Sequence, residues 1–205
     1  MWEHVLLDKK DGIATITLNR PVKMNAFGGR MRQEIEDVTR DACSDVGVRV
    51  IVITGAGKAF CVGGDVNEKV AGQSEALDSA SPSERPAMSK IVLALSQVEK
   101  PTIAAVNGVA AGGGVNLALC CDIRIASENA RFGQVYVKRG VHPDWGGIYF
   151  LPRLVGYAKA CELIFSGDVI DAEEACRIGM VNRVVPHEAL MSSVAALAGR
   201  IAGNA

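Results

Sequence analysis

Two glycine-rich segments, Lys58-Ala59-Phe60-Cys61-Val62-Gly63-Gly64-Asp65 and Asn107-Gly108-Val109-Ala110-Ala111-Gly112-Gly113-Gly114-Val115-Asn116, constrain this chain more than any other feature. Each follows an apolar run that reads as a buried strand, Val48 to Thr54 before the first and Thr102 to Val106 before the second. Each then leads toward a segment able to form a helix. Glycine at such a turn removes the Cβ that would keep a ligand away from the backbone. The N–H groups that open a helix lack internal partners and sit at its positive end. Two such turns side by side aim two N–H groups at one oxygen that gains negative charge during a reaction. That is the outline of an oxyanion hole.

The rest of the chain reads as alternating strands and helices. Val5 to Asp8 and Ile13 to Leu18 form a hairpin around Lys9-Lys10-Asp11-Gly12, with period-two alternation in the second strand. Met31, Ile35, Val38 and Ala42 fall at helical spacing, with Arg, Glu and Asp on the opposite face. The unbroken β-branched run before the first glycine turn is that of a strand covered on both faces. Residues 67 to 86 are polar and aperiodic and read as a mobile loop beside the site, followed by a helix from Ile91 to Val98. Gly114 to Cys120 is apolar all round and reads as a buried helix. Asp171-Ala172-Glu173-Glu174 has the form of a capping box, opening a short helix that Gly179 stops. Short connections between such units make an α/β spiral.

Composition narrows the function. With 49% apolar residues in a chain of 205, one large domain has ample core. A net charge of −1 gives no electrostatic case for nucleic acid or an anionic membrane. No apolar run reaches the roughly 18 residues of a membrane span. Met1-Trp2-Glu3-His4 lead straight into a strand, so no targeting peptide is read there and the expected location is cytoplasmic. Cys43, Cys61, Cys120, Cys121, Cys161 and Cys176 show no metal-ligand spacing and read as buried thiols in a reducing compartment. Thr54 to Ala59 imitates a phosphate loop, but Val52 and Ala59 stand where its first glycine and its hydroxyl residue belong.

Several motifs recur in a fixed order: Asn25-Ala26, Ala59-Phe60-Cys61 with Gly63 and Asp65, the triple glycine, Cys121-Asp122-Ile123, Phe132-Gly133-Gln134 and Leu151-Pro152-Arg153. In this the chain resembles the crotonase superfamily, the enoyl-CoA hydratase/isomerase family, over nearly its whole length. The pattern is most similar to the ring-epoxyphenylacetyl-CoA isomerase and enoyl-CoA isomerase type. The resemblance implies a ClpP-like β-β-α spiral with two roughly perpendicular sheets. It places the core spiral at residues 1–186 and the start of a C-terminal helical region at 187–205, cut short at Ala205. It implies an acyl-CoA thioester as substrate, with coenzyme A arriving as part of it, and no other cofactor and no metal. It also implies a homotrimer or a dimer of trimers.

Carried over residue by residue, the family pattern gives Gly64 and Gly113 as the two oxyanion donors. Packing turns without chemistry are the plain alternative. Coenzyme A is expected against Val22, Lys23, Met24 and Val62, with Ala26, Gly63, Asp65, Val66, Asn116, Tyr136 and Trp145 completing the substrate site. Lys23 and Lys58 read equally as phosphate contacts and as solvated lysines. Tyr136 and Trp145 read equally as walls of an acyl pocket and as core aromatics. His142 reads as structural, Asp122 as a backbone tie, and Arg153 as a packing or interface residue.

The acid/base positions depart from the hydratase pattern. The two glutamates that such enzymes use would stand at Asn116 and Tyr136. An amide does not titrate, and a phenol near pKa 10 is a poor base at neutral pH. Asp144, in Val141-His142-Pro143-Asp144-Trp145-Gly146-Gly147, is the replacement candidate. An aspartate before a helix is commonly an N-cap. In the family, however, isomerases carry an aspartate at this turn. One carboxylate suffices to move a double bond, taking a proton from C2 of a 3-enoyl thioester and returning it at C4. The expected activity is therefore enoyl-CoA isomerisation with Asp144 as single acid/base. The alternatives are a hydratase or ring-processing lyase working through water, a nucleophilic Asp144, and a non-catalytic member that binds coenzyme A or protein.

Overall fold

The computed structural model describes residues 2–65 and 98–204, together with Val92, Leu95 and Ser96. The mobile loop read at 67 to 86 and most of the helix read from Ile91 lie outside the described residues. Strand β1 (Val5–Lys10) pairs antiparallel with β2 (Ile13–Leu18), and Lys10 faces Ile13 across a two-residue turn. Asp11 and Gly12 have φ of 52° and 78°, the left-handed pair whose twist suits a tight hairpin. The strand thus runs two residues beyond the reading that ended it at Asp8. β1 is an edge strand, and Lys9 extends from it to Asp45 at 2.8 Å and to Asp41 on the following helix.

Helix α1 (Met31–Ser44) buries Met31, Ile35, Val38 and Ala42, the expected face. Glu34 does not join its acidic outer face. It is 3% exposed, and its Oε2 accepts from the N–H groups of Glu3 (3.1 Å) and His4 (2.7 Å). A buried carboxylate with backbone donors is satisfied without a cation. It ties the N-terminal segment to the helix.

The main sheet has the order β1-β2-β3-β5-β7-β10, with β3 at Val50–Gly55, β5 at Thr102–Val106, β7 at Ile123–Ser127 and β10 at Arg183–Val185. All neighbours from β2 onward are parallel. Side chains alternate between two cores. Ile51, Ile53, Ala104 and Val106 join the large cluster on one face. Val50, Val52, Ile103, Ala105 and Ile125 meet Leu190, Val194 and Ala198 on the other. Those last three belong to the C-terminal helix Leu190–Ala202, which explains why β3 carries no polar alternation. Val48 lies before β3 in a turn, its N–H donating to Asp45 O at 3.0 Å. Asp122 acts as the backbone tie expected of it, since its Oδ2 accepts from Thr102 N (2.8 Å) and Thr102 Oγ1 (2.7 Å) at the start of β5.

A second sheet, in the order β4-β6-β8-β9, is built from three-residue strands. These are β4 (Ala59–Cys61), β6 (Val109–Ala111), β8 (Arg131–Gly133) and β9 (Val169–Asp171). Helix α2 (Gly113–Leu119) is buried along its whole length, as its composition requires. Helices α3 (Gly147–Val155), α4 (Tyr157–Ser166), α5 (Ala172–Arg177) and α6 (Leu190–Ala202) follow. Asp171 caps α5, accepting from Glu174 N at 2.8 Å. The box is half formed, because the Glu174 carboxylate turns to Arg177 at 2.6 and 2.7 Å. Arg153 on α3 lies 3.7 Å over the Tyr149 ring, a packing role.

Candidate active site

The parallel pairing of β4 with β6 sets the two glycine turns side by side. Ala59 faces Val109 and Cys61 faces Ala110, with a register irregularity between them. Two buried amides fix this junction. Asn25 Nδ2 donates to Ala56 O (2.9 Å) and Ala59 O (2.8 Å), while its Oδ1 accepts from Arg20 N (2.9 Å). Asn107 Nδ2 donates to Gly57 O (2.9 Å) and Ala59 O (3.2 Å). The turns touch closely enough to demand glycine. A Cβ on Gly63, whose φ is 82°, would fall 3.0 Å from Ala111 O and 3.1 Å from Gly113 N. One on Gly114 would fall 1.9 Å from Cys61 O.

The same packing exposes two amides. Gly64 bridges Phe27, but the bonds of that bridge run from Phe27 N to Gly63 O (2.7 Å) and from Asp65 N to Phe27 O (3.2 Å). The Gly64 N–H takes no part. Gly113 opens α2, where a helix provides no acceptor for the first N–H. Among the described residues neither amide has a hydrogen-bond partner.

Both glycines border a cavity of about 800 Å³. Val22, Lys23, Met24, Ala26, Val62, Gly63, Asp65, Tyr136 and Asp144 line it as well. Val66 lies outside the described residues. Asn116 and Trp145 do not line the cavity. Asn116 is wholly buried, and Trp145 is 4% exposed and stacks on Phe27 at 4.3 Å between ring centres, 4° from parallel. That pair packs behind Gly113, where an added Cβ would lie 3.2 Å from Phe27 and 3.4 Å from Trp145. The indole is therefore a core aromatic that backs the wall. The cavity also takes in Arg139, which the sequence did not single out, and His142, which read as structural. Gly140, with φ of 65°, turns the chain so that both residues return to the site.

Asp144 is not an N-cap. That position on α3 belongs to Gly146, and it is the Asp144 carbonyl that accepts from Gly147 N at 2.9 Å. The Asp144 carboxylate is free to face the cavity, and its Oδ1 accepts from the Tyr136 hydroxyl. Asn116 Nδ2 donates to the Tyr136 oxygen (3.0 Å) and to Asp144 O (2.7 Å), and Gln134 Nε2 donates to Asn116 Oδ1 (2.7 Å). Gly147 leaves the room, since a Cβ there would sit 2.4 Å from Asn116 Nδ2. Burial, and then the hydrogen bond to Asp144, push the Tyr136 phenol well above its ordinary range. At neutral pH it is a donor rather than a base.

The other carboxylate on the cavity wall, Asp65, is 6% exposed and pairs with Arg20 at 3.3 Å. Among the described residues, Asp144 is thus the lining carboxylate with no cation partner. Cys61 and Cys121 are buried thiols, pushed up to about 12 by desolvation and unsuited to nucleophilic work. Among the described residues, no group of three or more His, Cys, Asp or Glu is placed to hold a metal, and no helix is long and apolar enough to cross a membrane.

Known proteins are similar to this chain along nearly its whole length. The crotonyl-CoA hydratase of Syntrophomonas wolfei is 43% identical over 202 residues, covering 98% of this chain and 76% of that protein. The 1,2-epoxyphenylacetyl-CoA isomerase of Escherichia coli is 37% identical over 202 residues, covering 98% and 77%. The crystal structure of enoyl-CoA hydratase from Bacillus anthracis matches with a TM-score of 0.90 at 35% identity, over 98% of this chain and 77% of that one. A monofunctional enoyl-CoA isomerase from M. smegmatis matches with a TM-score of 0.81 at 37% identity, over 98% and 85%. The family model for enoyl-CoA hydratase/isomerase matches residues 8–205, a span that holds both glycine turns and every residue facing the cavity. With fold, sequence and paired turns in agreement, the chain belongs to the enoyl-CoA hydratase/isomerase family, within the crotonase superfamily.

Proposed function

We propose that the protein is an enoyl-CoA double-bond isomerase in which Asp144 is the single acid/base. The observation that carries this reading is the Asp144 carboxylate, facing the same cavity as the Gly64 and Gly113 amides while Asn116 and Tyr136 occupy the positions where a hydratase would carry its glutamates. Coenzyme A lies against Val22, Lys23, Met24 and Val62, and the thioester sits between the glycine turns. Asp144 removes a proton from C2 of a 3-enoyl thioester. The electron pair moves toward the carbonyl, and the developing oxyanion is held by the two amides. The enolate collapses as Asp144 returns the proton to C4, leaving a 2-enoyl thioester. No water enters the product, so one carboxylate is enough.

A second reading, addition of water with Asp144 working through a bound water, draws support from the crotonyl-CoA hydratase named among the relatives. Association as trimers or dimers of trimers belongs to the proposal and is supported by exposed Ile148 and Tyr149 on α3 and Tyr157 and Phe165 on α4. The two chemistries separate by mass. Supplied with 3-enoyl, 2-enoyl and cyclic acyl-CoAs, the enzyme is expected to convert a 3-enoyl thioester to a product of unchanged mass. Gain of one water by a 2-enoyl thioester, without isomerisation of the 3-enoyl form, favours the hydratase.

A further inference from the structure

We infer that Gln134, Asn116 and Tyr136 form a one-way hydrogen-bond chain that makes Tyr136 a positioning residue for Asp144, holding Oδ1 so that Oδ2 alone carries the proton. The inference rests on the acid/base role proposed for Asp144. Its direction follows from which groups can only accept. The Asp144 backbone carbonyl has no proton to give, so the Asn116 group 2.7 Å from it must be the amide nitrogen. Asn116 Oδ1 then faces Gln134, whose own amide nitrogen donates to it at 2.7 Å. With one Asn116 proton on the Asp144 carbonyl, the other goes to the Tyr136 oxygen at 3.0 Å. Tyr136 has a single proton left to place, and its acceptor is Asp144 Oδ1. A tyrosine placed only to line an acyl pocket needs no such relay.

The consequence is a carboxylate fixed in rotation, with one of its two oxygens held by a donor. The other charged or titratable groups at the cavity are Lys23, Asp65 with its partner Arg20, Arg139 and His142. Among the described residues none of them hydrogen-bonds the Asp144 carboxylate or the Tyr136 hydroxyl. A difference between two pH profiles therefore isolates the phenol.

Tyr136→Phe keeps the ring and removes the donor. On the 3-enoyl substrate, kcat is expected to fall about 10- to 100-fold with KM nearly unchanged, the worth of a hydrogen bond to a charged group. The acidic limb of the kcat/KM profile is expected to move to higher pH by about one unit. Replacing Tyr136 by 3-fluorotyrosine, a more acidic phenol of nearly the same shape, is expected to move that limb to lower pH. This second variant keeps the test decisive if the phenylalanine protein folds poorly. Asn116→Ala is expected to add little to the shift already caused by Tyr136→Phe, because it acts through the same phenol. An acidic limb that stays in place in both Tyr136 variants, or a raised KM at constant kcat, overturns the inference. Asp144→Asn assayed alongside separates the failures. If it is inactive while the limb does not move, the relay alone is wrong. If it turns over normally, the acid/base reading falls and the inference falls with it.

Discussion

Asp144→Asn is expected to lower kcat by a factor on the order of 10² to 10⁴, the usual worth of general acid–base catalysis, while acyl-CoA affinity stays close to that of the parent. The amide keeps the size of the side chain and can still accept from the Tyr136 hydroxyl through its oxygen. What it loses is the proton carrier. Stability is expected to change little, because the helix that follows is capped at Gly146 and the Asp144 contact to Gly147 is made by the backbone. Steady-state kinetics with a thermal unfolding curve on the same sample measure both quantities. Near-parental turnover contradicts the assignment and moves the chemistry to His142 or a bound water.

Gly114→Ala is expected to be the most damaging single methyl group at this site. The new Cβ would stand 1.9 Å from Cys61 O and 2.6 Å from Cys61 C, both backbone atoms of the strand beneath. No rotamer relieves that contact, so α2 and β4 must part. Overpacking typically costs about 1–3 kcal/mol, and contact with rigid backbone places this change at the upper end. Protein that still folds has its two glycine turns splayed, and loss of one oxyanion donor alone lowers kcat by about 10²- to 10³-fold. Gly199→Ala on α6 is the matched control, since its Cβ meets nothing within 4 Å. That change is expected to stabilise the protein by about 0.5–1 kcal/mol through helix propensity. Denaturant midpoints of the two variants provide the comparison, and equal stability of Gly114→Ala and the parent contradicts the packing described for the turns.

The elements legible in the sequence are those whose burial is written in several consecutive residues. Thr102 to Val106 shows itself as a strand because both faces are covered, and Gly114 to Cys120 as a buried helix because Asn116 is its one polar side chain. The second sheet is a different case. Ala59–Cys61 and Val109–Ala111 are too short to display a period and read as parts of glycine turns, yet their pairing is what brings the turns together. Glu34 is a charged residue in a helix whose charges otherwise mark its outer face, and its sequence carries no sign of burial. Only the fold reveals that the N–H groups of Glu3 and His4 reach it.

The site was legible where a motif fixes the backbone and less so where a side chain must choose a direction. The glycine turns and Asp144 came from motif and resemblance. That Trp145 points into the core depends on its own left-handed backbone (φ 48°) and that of Gly146 (φ 72°), which redirect the chain just before α3. Asn116 enters the relay because its partners Gln134, Tyr136 and the Asp144 carbonyl come to it from distant sequence. Arg139 and His142 carry no motif at all. Their place at the cavity comes from the turn at Gly140.

The most direct measurement follows one hydrogen. A 3-enoyl-CoA labelled with deuterium at C2 is converted in a single turnover, and the product is analysed for label at C4. Isomerisation through one carboxylate predicts a 2-enoyl-CoA that retains part of the deuterium at C4, with both conversion and transfer lost in Asp144→Asn. A product carrying solvent oxygen at C3, or one in which the hydrogen added at C4 comes wholly from solvent, contradicts it.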